Sequence, residues 1–202
     1  MTELPDGAAE RLWAEFCRQG DVDALERLYE SLRPQTLRYC RSVLGDAHLA
    51  EDVVHTAFAR LLARRPPARS DFKRLLLATA RNLCRDELRR RRRQSDLIRS
   101  LSDSSPDATA PGASGPARAP DPAEAVEAQE ALSALRDCLM QLDERDRSLI
   151  VLTVAEGESN RAAAHILDWP AADHTITRCI KSIKDKLLRC LKKKGIFAAN
   201  SA

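Results

Sequence analysis

A chain of 202 residues is long enough for one large domain or two small ones. With 44% hydrophobic and 31% charged residues it can fill a core, which excludes a chain disordered throughout. Aromatics are only 4%, and the bias toward Ala, Leu, Arg and Glu favours helix over sheet. The formal net charge is only +3, yet the positive charge is gathered in two places. Arg85 to Arg93 holds six arginines against two acids, and Ile176 to Lys194 holds eight Lys or Arg against Asp185 alone. Two basic segments in a nearly neutral protein predict a polyanion gripped at two points. The N-terminal stretch MTELPDGAAE is acidic and lacks an apolar core, so it is not expected to act as a signal peptide. No apolar run approaches the roughly 20 residues of a membrane span, and no membrane insertion is expected. The six cysteines, at 17, 40, 84, 138, 179 and 190, form no close pair. They read as reduced, mostly buried thiols of a cytoplasmic protein, with Cys138 and Cys179 inert among apolar neighbours.

In chain order, helices are expected throughout 8–93. Asp6 caps the first, with Leu12, Trp13 and Phe16 as its apolar stripe, and Gly20 ends it. Asp21 caps a second, in which Ala24, Leu25, Leu28 and Leu32 recur at helical spacing. Pro34 opens a third, with Leu37, Cys40, Val43 and Leu44 on one face and Gly45 as its stop. A fourth runs from Ala47 to Ala63 over Leu49, Val53, Ala57 and Leu61, with Phe58 and Leu62 alongside, until Pro66-Pro67 breaks it. Ser70 or Asp71 caps a fifth, which turns Phe72, Leu75, Leu76, Thr79, Leu83 and Leu88 inward and ends in the arginine run.

Residues 94–122 change character: the stretch SDSSPDATAPGASGPARAPDP within them is built of Ser, Pro, Ala, Gly and Asp with almost no bulky apolar residue, the composition of a flexible linker. It separates a first domain, 8–93, from a second, 123–194. In the second, Val126, Leu132, Leu135, Leu139 and Leu142 make one stripe, and Asp143 caps a short helix that Gly157 ends. Ser159 caps another, containing Ala162, Ala163, Ile166 and Leu167. After a turn at 168–173, a last helix runs from His174 to Lys193. A short helix, a turn and a longer basic helix form a helix-turn-helix pattern, whose last helix enters the major groove. Here Ile176, Ile180, Ile183, Leu187 and Leu191 bury one side, while Thr177, Arg178, Lys181, Ser182, Lys184 and Asp185 project from others. The fold class is therefore all-α, two small helical domains joined by a flexible linker, the second with a helix-turn-helix.

Catalytic constellations are lacking. No GxSxG, P-loop or dinucleotide glycine fingerprint occurs, and the seven glycines lie mostly at helix ends and in the linker. His48, Asp52 and His55 share helical spacing, but one helix supplies all three and no second cluster accompanies them. They read as exposed polar residues. An enzyme, a metal site and a cofactor are not expected.

LAEDVVHTAFARLL at 49–62 and LLLATARNLCRDELRRRRR at 75–93 carry a family resemblance. Ala50, Glu51, Asp52, Val54, Ala57 and Phe58, then Ala80, Arg81, Asn82, Asp86 and Arg89, fit the two helix motifs of the first domain of the sigma-70 family. The chain resembles its compact extracytoplasmic-function group, over about 10–93 and 123–192. The resemblance implies an alternative sigma factor that binds core RNA polymerase and directs promoter-specific initiation. It implies docking on the largest-subunit clamp through Asp52, His55, Phe58 and Arg60, with a further contact at the polymerase flap. The loop at 64–71 and the following helix would take the melted minus-ten element, with Asn82, Arg85, Arg89 and Arg90 near DNA. The last helix would read the minus-thirty-five element through Thr175, Thr177, Arg178 and Lys181. An anti-sigma factor is implied as a further partner. The chain departs from the family's usual pattern at His55-Thr56, commonly Gln-Glu, and at Leu75-Leu76, commonly Trp-Leu. A stand-alone helix-turn-helix regulator is the alternative; it would bind DNA without polymerase, as a dimer on two half-sites. A protein-interaction module that clasps a partner is the third reading.

Overall fold

The computed structural model describes residues 7–101, 122–169 and 172–196. The described residues are helical, with no strand among them. The chain divides into two compact units, Met1–Pro111 and Gly112–Ala202.

The first unit is built by α1 (Ala8–Gln19), α2 (Val22–Leu44), α3 (Ala47–Arg64) and α4 (Phe72–Leu101). Helix ends follow local chemistry. Gly20 and Gly45 adopt left-handed backbone (φ 69° and 70°) and donate their N–H groups to Phe16 O and Arg41 O. Only glycine reaches that conformation without strain. Asp21, Asp46 and Asp71 each accept a backbone N–H of the helix they start. Asp6 lies outside the described residues.

Pro34 does not open a helix: α2 runs unbroken through it. A proline inside a helix costs about 3 kcal/mol, since it removes one hydrogen bond and crowds the preceding turn. Packing on both sides outweighs that cost. Leu28 and Leu32 before Pro34, and Thr36, Leu37, Tyr39 and Cys40 after it, are all buried, while α2 packs on α1, α3 and α4.

The core of this unit is aromatic at its centre. Trp13 and Phe72 stand 4.6 Å apart by ring centroids, Phe58 and Phe72 6.2 Å, and Tyr29 and Phe58 4.7 Å. The buried face of α4 is Phe72, Leu76, Leu77, Ala80 and Cys84. Leu75, Thr79, Leu83 and Leu88 are only half-buried, so the helix sits rotated from the expected face. Helix α4 also continues to Leu101, across the first residues of the expected linker. The rest of that linker, 102–121, lies outside the described residues.

The second unit comprises α5 (Pro122–Met140), α6 (Glu144–Ile150), a π-helical turn (Val151–Ala155), α7 (Asn160–Ile166) and α8 (Asp173–Lys193). Asp143 and Ser159 cap α6 and α7 as expected. The π turn is closed by Glu156 N–H donating to Val151 O, five residues back. Helices α5, α6 and α7 all pack on α8. The inward side of α5 is Ala134 and Cys138, whereas Leu132 is 56% exposed, against expectation; the side chain of Val126 lies outside the described residues.

Arg147 is buried and donates to Met140 O (3.1 Å) and Leu142 O (2.9 Å), which fastens the corner between α5 and α6. Cys138 and Cys190 are joined by a disulfide, correcting the expectation of reduced thiols. Their 52-residue separation offers no spacing signal, because only the fold brings α5 and α8 side by side. Outside the disulfide, Cys40 and Cys84 are buried, Cys17 is exposed and Cys179 half-covered.

Candidate nucleic-acid interface

On α3, Asp52, His55 and Arg60 are exposed on the side away from the core. His55 is not isolated: the Tyr29 hydroxyl lies 3.2 Å from its Nδ1, and the two rings stack at 6.0 Å. Phe58 does not belong with them. It is 3% exposed and its ring stands between Tyr29 and Phe72. It is part of the core, beneath the exposed face that Asp52, His55 and Arg60 share.

The segment between α3 and α4 is held from inside. The Trp13 indole N–H lies 3.2 Å from Pro66 O and 3.3 Å from Pro67 O. This clasp matters because two prolines offer no N–H of their own. Arg65, which ends α3, takes a left-handed backbone (φ 43°).

The arginine run on α4 separates into two sets. Arg90 donates from Nε and from a terminal nitrogen to both oxygens of Glu87, each at 2.8 Å. Arg91 donates to Asp46 at 2.8 Å and reaches Glu87 at 3.3 Å. The Asp46 contact ties α4 to the start of α3. The hydrogen bond from Arg91 and that from Leu49 N–H hold the Asp46 carboxyl below its usual range; the Arg90 bond does the same for Glu87. Arg89, Arg92 and Arg93 are instead exposed and line, with Asp86, a shallow open recess. Asn82 is exposed and accepts a hydrogen bond from Arg81 at 3.2 Å. Arg85 is half-buried, and its Nε has no hydrogen-bond partner among the described residues. The Glu87 pairings have the three- and four-residue spacing of a helix and are legible in the sequence. The Asp46–Arg91 pair spans 45 residues and is not.

In the second unit, Ile176, Ile183, Leu187 and Leu191 anchor α8, with Ile180 half-buried. Thr177, Arg178, Lys181, Ser182, Lys184 and Asp185 are exposed, and Thr175 is half-buried. Asn160, at the start of α7, donates to the Thr177 hydroxyl (3.0 Å), which itself donates to Asp173 O (2.9 Å). This brace between α7 and α8 escaped sequence reasoning, because neither residue belongs to an apolar pattern. Lys186 on α8 pairs with Asp146 on α6 at 2.7 Å, and that bond raises the lysine's pKa. Beyond α7, the Arg145 guanidinium lies 3.5 Å from the Trp169 ring centroid. Residues 170 and 171 of the expected turn lie outside the described residues.

The described residues thus present a polar helix face and an arginine run in one unit and a braced basic helix in the other. They contain no group of three His, Cys, Asp or Glu placed to hold a metal ion. Among them no helix is long and apolar enough to cross a membrane.

Comparison with known proteins agrees with this geometry. The family described as Sigma-70 region 2 matches residues 28–94, from mid α2 through the arginine run. No curated protein matches the chain. Among solved structures, the chain is similar in fold to the sigma factor RpoE, solved in complex with the anti-sigma factor NepR from Bartonella quintana. The TM-score is 0.61 at 21% identity, covering 83% of this chain and 96% of that one. Residues 28–94 thus match a sigma-70 region 2, and the described residues share the fold of a solved sigma factor.

Proposed function

We propose that the chain is an alternative sigma factor of the extracytoplasmic-function group, which binds core RNA polymerase and directs it to specific promoters. The observation that carries this reading is the region 2 match at 28–94, laid on a unit whose exposed residues are a polar helix face and an arginine run. In this reading Asp52, His55 and Arg60 meet the polymerase clamp. The clasped segment 65–71, with Asn82 and Arg89 on α4, meets the melted minus-ten element. Arg92 and Arg93 join Arg89 as phosphate contacts, because Arg90 and Arg91 are already committed to carboxylates within the unit. Thr175, Thr177, Arg178 and Lys181 on α8 read the minus-thirty-five element from the major groove, and the second unit also meets the polymerase flap. Two modest DNA sites on one chain gain affinity when both engage, with polymerase setting their spacing. The protein works in the cytoplasm, carries out no catalysis of its own and is held in check by an anti-sigma partner, as the RpoE of similar fold is bound by NepR.

The test is a pull-down of core polymerase followed by run-off transcription of a genomic library with the same mixture. Polymerase binding and discrete new transcripts are expected. DNA retained by the protein alone, with no polymerase bound, would replace this reading with a stand-alone regulator.

A further inference from the structure

We propose that Cys138 and Cys190 are a reversible thiol–disulfide pair that sets how firmly the second unit holds its DNA-reading helix. The bond joins the last turn of α5 to the last turn of α8. The 52-residue span between the two sulfurs takes in α6, the π turn, α7 and nearly all of α8, so the whole helix-turn-helix lies inside one covalent ring.

The ring matters because the packing it reinforces is thin. On α5 the buried side chains among those described are Ala134 and Cys138, and Leu132 faces outward. Besides the disulfide, α8 is tied back to α5 through the Lys194–Asp137 ion pair, which is exposed and contributes little in water. Alanine buries little apolar area, so closing the ring is a large share of what keeps the end of α8 in place.

The two sulfurs differ in access. Cys138 is 1% exposed, while Cys190 is only partly covered. An external thiolate therefore attacks the Cys190 sulfur and breaks the S–S bond. Cys138 leaves as a thiolate and takes up a proton, and Cys190 is left in a mixed disulfide. A second external thiol then displaces Cys190 as a thiol and departs as the external disulfide. Two electrons pass from two external thiols, or one dithiol, to the protein. Oxidation runs the same steps in reverse, with a small-molecule disulfide as the acceptor.

The consequence for promoter reading rests on the function proposed above. The thiol pair itself does not, and the experiment keeps the two apart. The full-length chain is equilibrated in a glutathione series, then denatured, and its thiols are labelled with a mass-tagged maleimide. Hydrogen exchange is followed on parallel samples. Four labels are expected under oxidising conditions and six under reducing ones, with a single midpoint between them. On reduction, the slowest amides of 142–190 exchange faster by roughly 10³-fold, the effect of opening a ring of that length, while those of 22–93 stay unchanged. Cys190→Ser and Cys138→Ser exchange as the reduced chain does, with or without reductant, and each takes five labels. Six labels without reductant, or equal exchange in the two redox forms, would overturn the proposal. Run-off transcription with core polymerase supplies the last arm. Fewer transcripts from the reduced chain support the switch, and equal transcripts from both forms overturn it as a control on promoter reading. Transcripts from neither form, with the exchange difference intact, remove the sigma reading and leave the thiol pair standing.

Discussion

Replacing Phe58 with alanine separates the core of the first unit from the exposed face of α3. The side chain is 3% exposed, and its ring packs against Tyr29 at 4.7 Å and Phe72 at 6.2 Å. Phe72 in turn lies 4.6 Å from Trp13, so the cavity left by Phe58 opens at the centre of the aromatic cluster. Truncations of this kind cost about 3–5 kcal/mol, and the loss of two ring contacts places this one toward the upper end. A domain of this size is stable by about 5–15 kcal/mol, so a third or more of its stability is removed. At about 4–8 °C per kcal/mol, the melting temperature should fall by on the order of 20 °C. The chain has two tryptophans, Trp13 in the first unit and Trp169 in the second. In a Trp169→Phe background, Trp13 fluorescence follows the first unit by itself. Asp52→Ala and Arg60→Ala, on the exposed face of the same helix, should leave that melting curve unchanged and weaken capture of core polymerase. A Phe58→Ala protein that melts within about 3 °C of its parent would refute the core assignment.

Three further outcomes are expected. On a promoter recovered by run-off transcription, Arg89→Ala and Arg93→Ala should each make the log–log salt dependence of binding shallower by about 0.7–0.9 units. Arg90→Ala should leave the slope as it was, because its guanidinium is held by Glu87; a reduced slope would return Arg90 to the DNA contacts. Arg147→Met deprives the carbonyls of Met140 and Leu142 of a buried donor, a loss of about 2–4 kcal/mol in the second unit. Denaturant unfolding followed by Trp169 measures it, and an unshifted midpoint would mean that water replaces the guanidinium. Finally, Asp46 and Glu87 have carboxyl pKa values lowered by their arginines. Their contribution is complete above the unfolded carboxylate value of about 4 and is lost as pH falls through the folded values. The first unit should weaken below about pH 4, and Asp46→Asn with Glu87→Gln should flatten that acid limb.

Helix ends were legible in the sequence wherever a side chain or a glycine sets them locally, as at Gly20, Asp21, Gly45, Asp143 and Ser159. Pro34 was misread because its local preference for a first turn was overridden by burial on both sides of it. The buried face of α4 was misjudged because Leu75, Leu76 and Leu77 run together, and three adjacent leucines fit several helical phases. On α8 the isoleucines and leucines are spaced, and the buried face emerged with only Ile180 less covered than expected. The candidate interface was legible as residue types and unreadable as commitments. Which arginines are free depends on Asp46, 45 residues from its partner, and the disulfide depends on two helices that meet only in the fold.

The indole clasp on Pro66 and Pro67 also bears on where the first unit can be cut. The family match begins at residue 28, yet the donor that holds those carbonyls is Trp13, on a helix that ends at Gln19. A fragment trimmed to the matched segment would leave Phe72 without its 4.6 Å neighbour and open a hydrophobic face beside the Pro66-Pro67 segment. The matched segment is here shorter than the unit that folds, and a minimal expression fragment should begin ahead of Ala8.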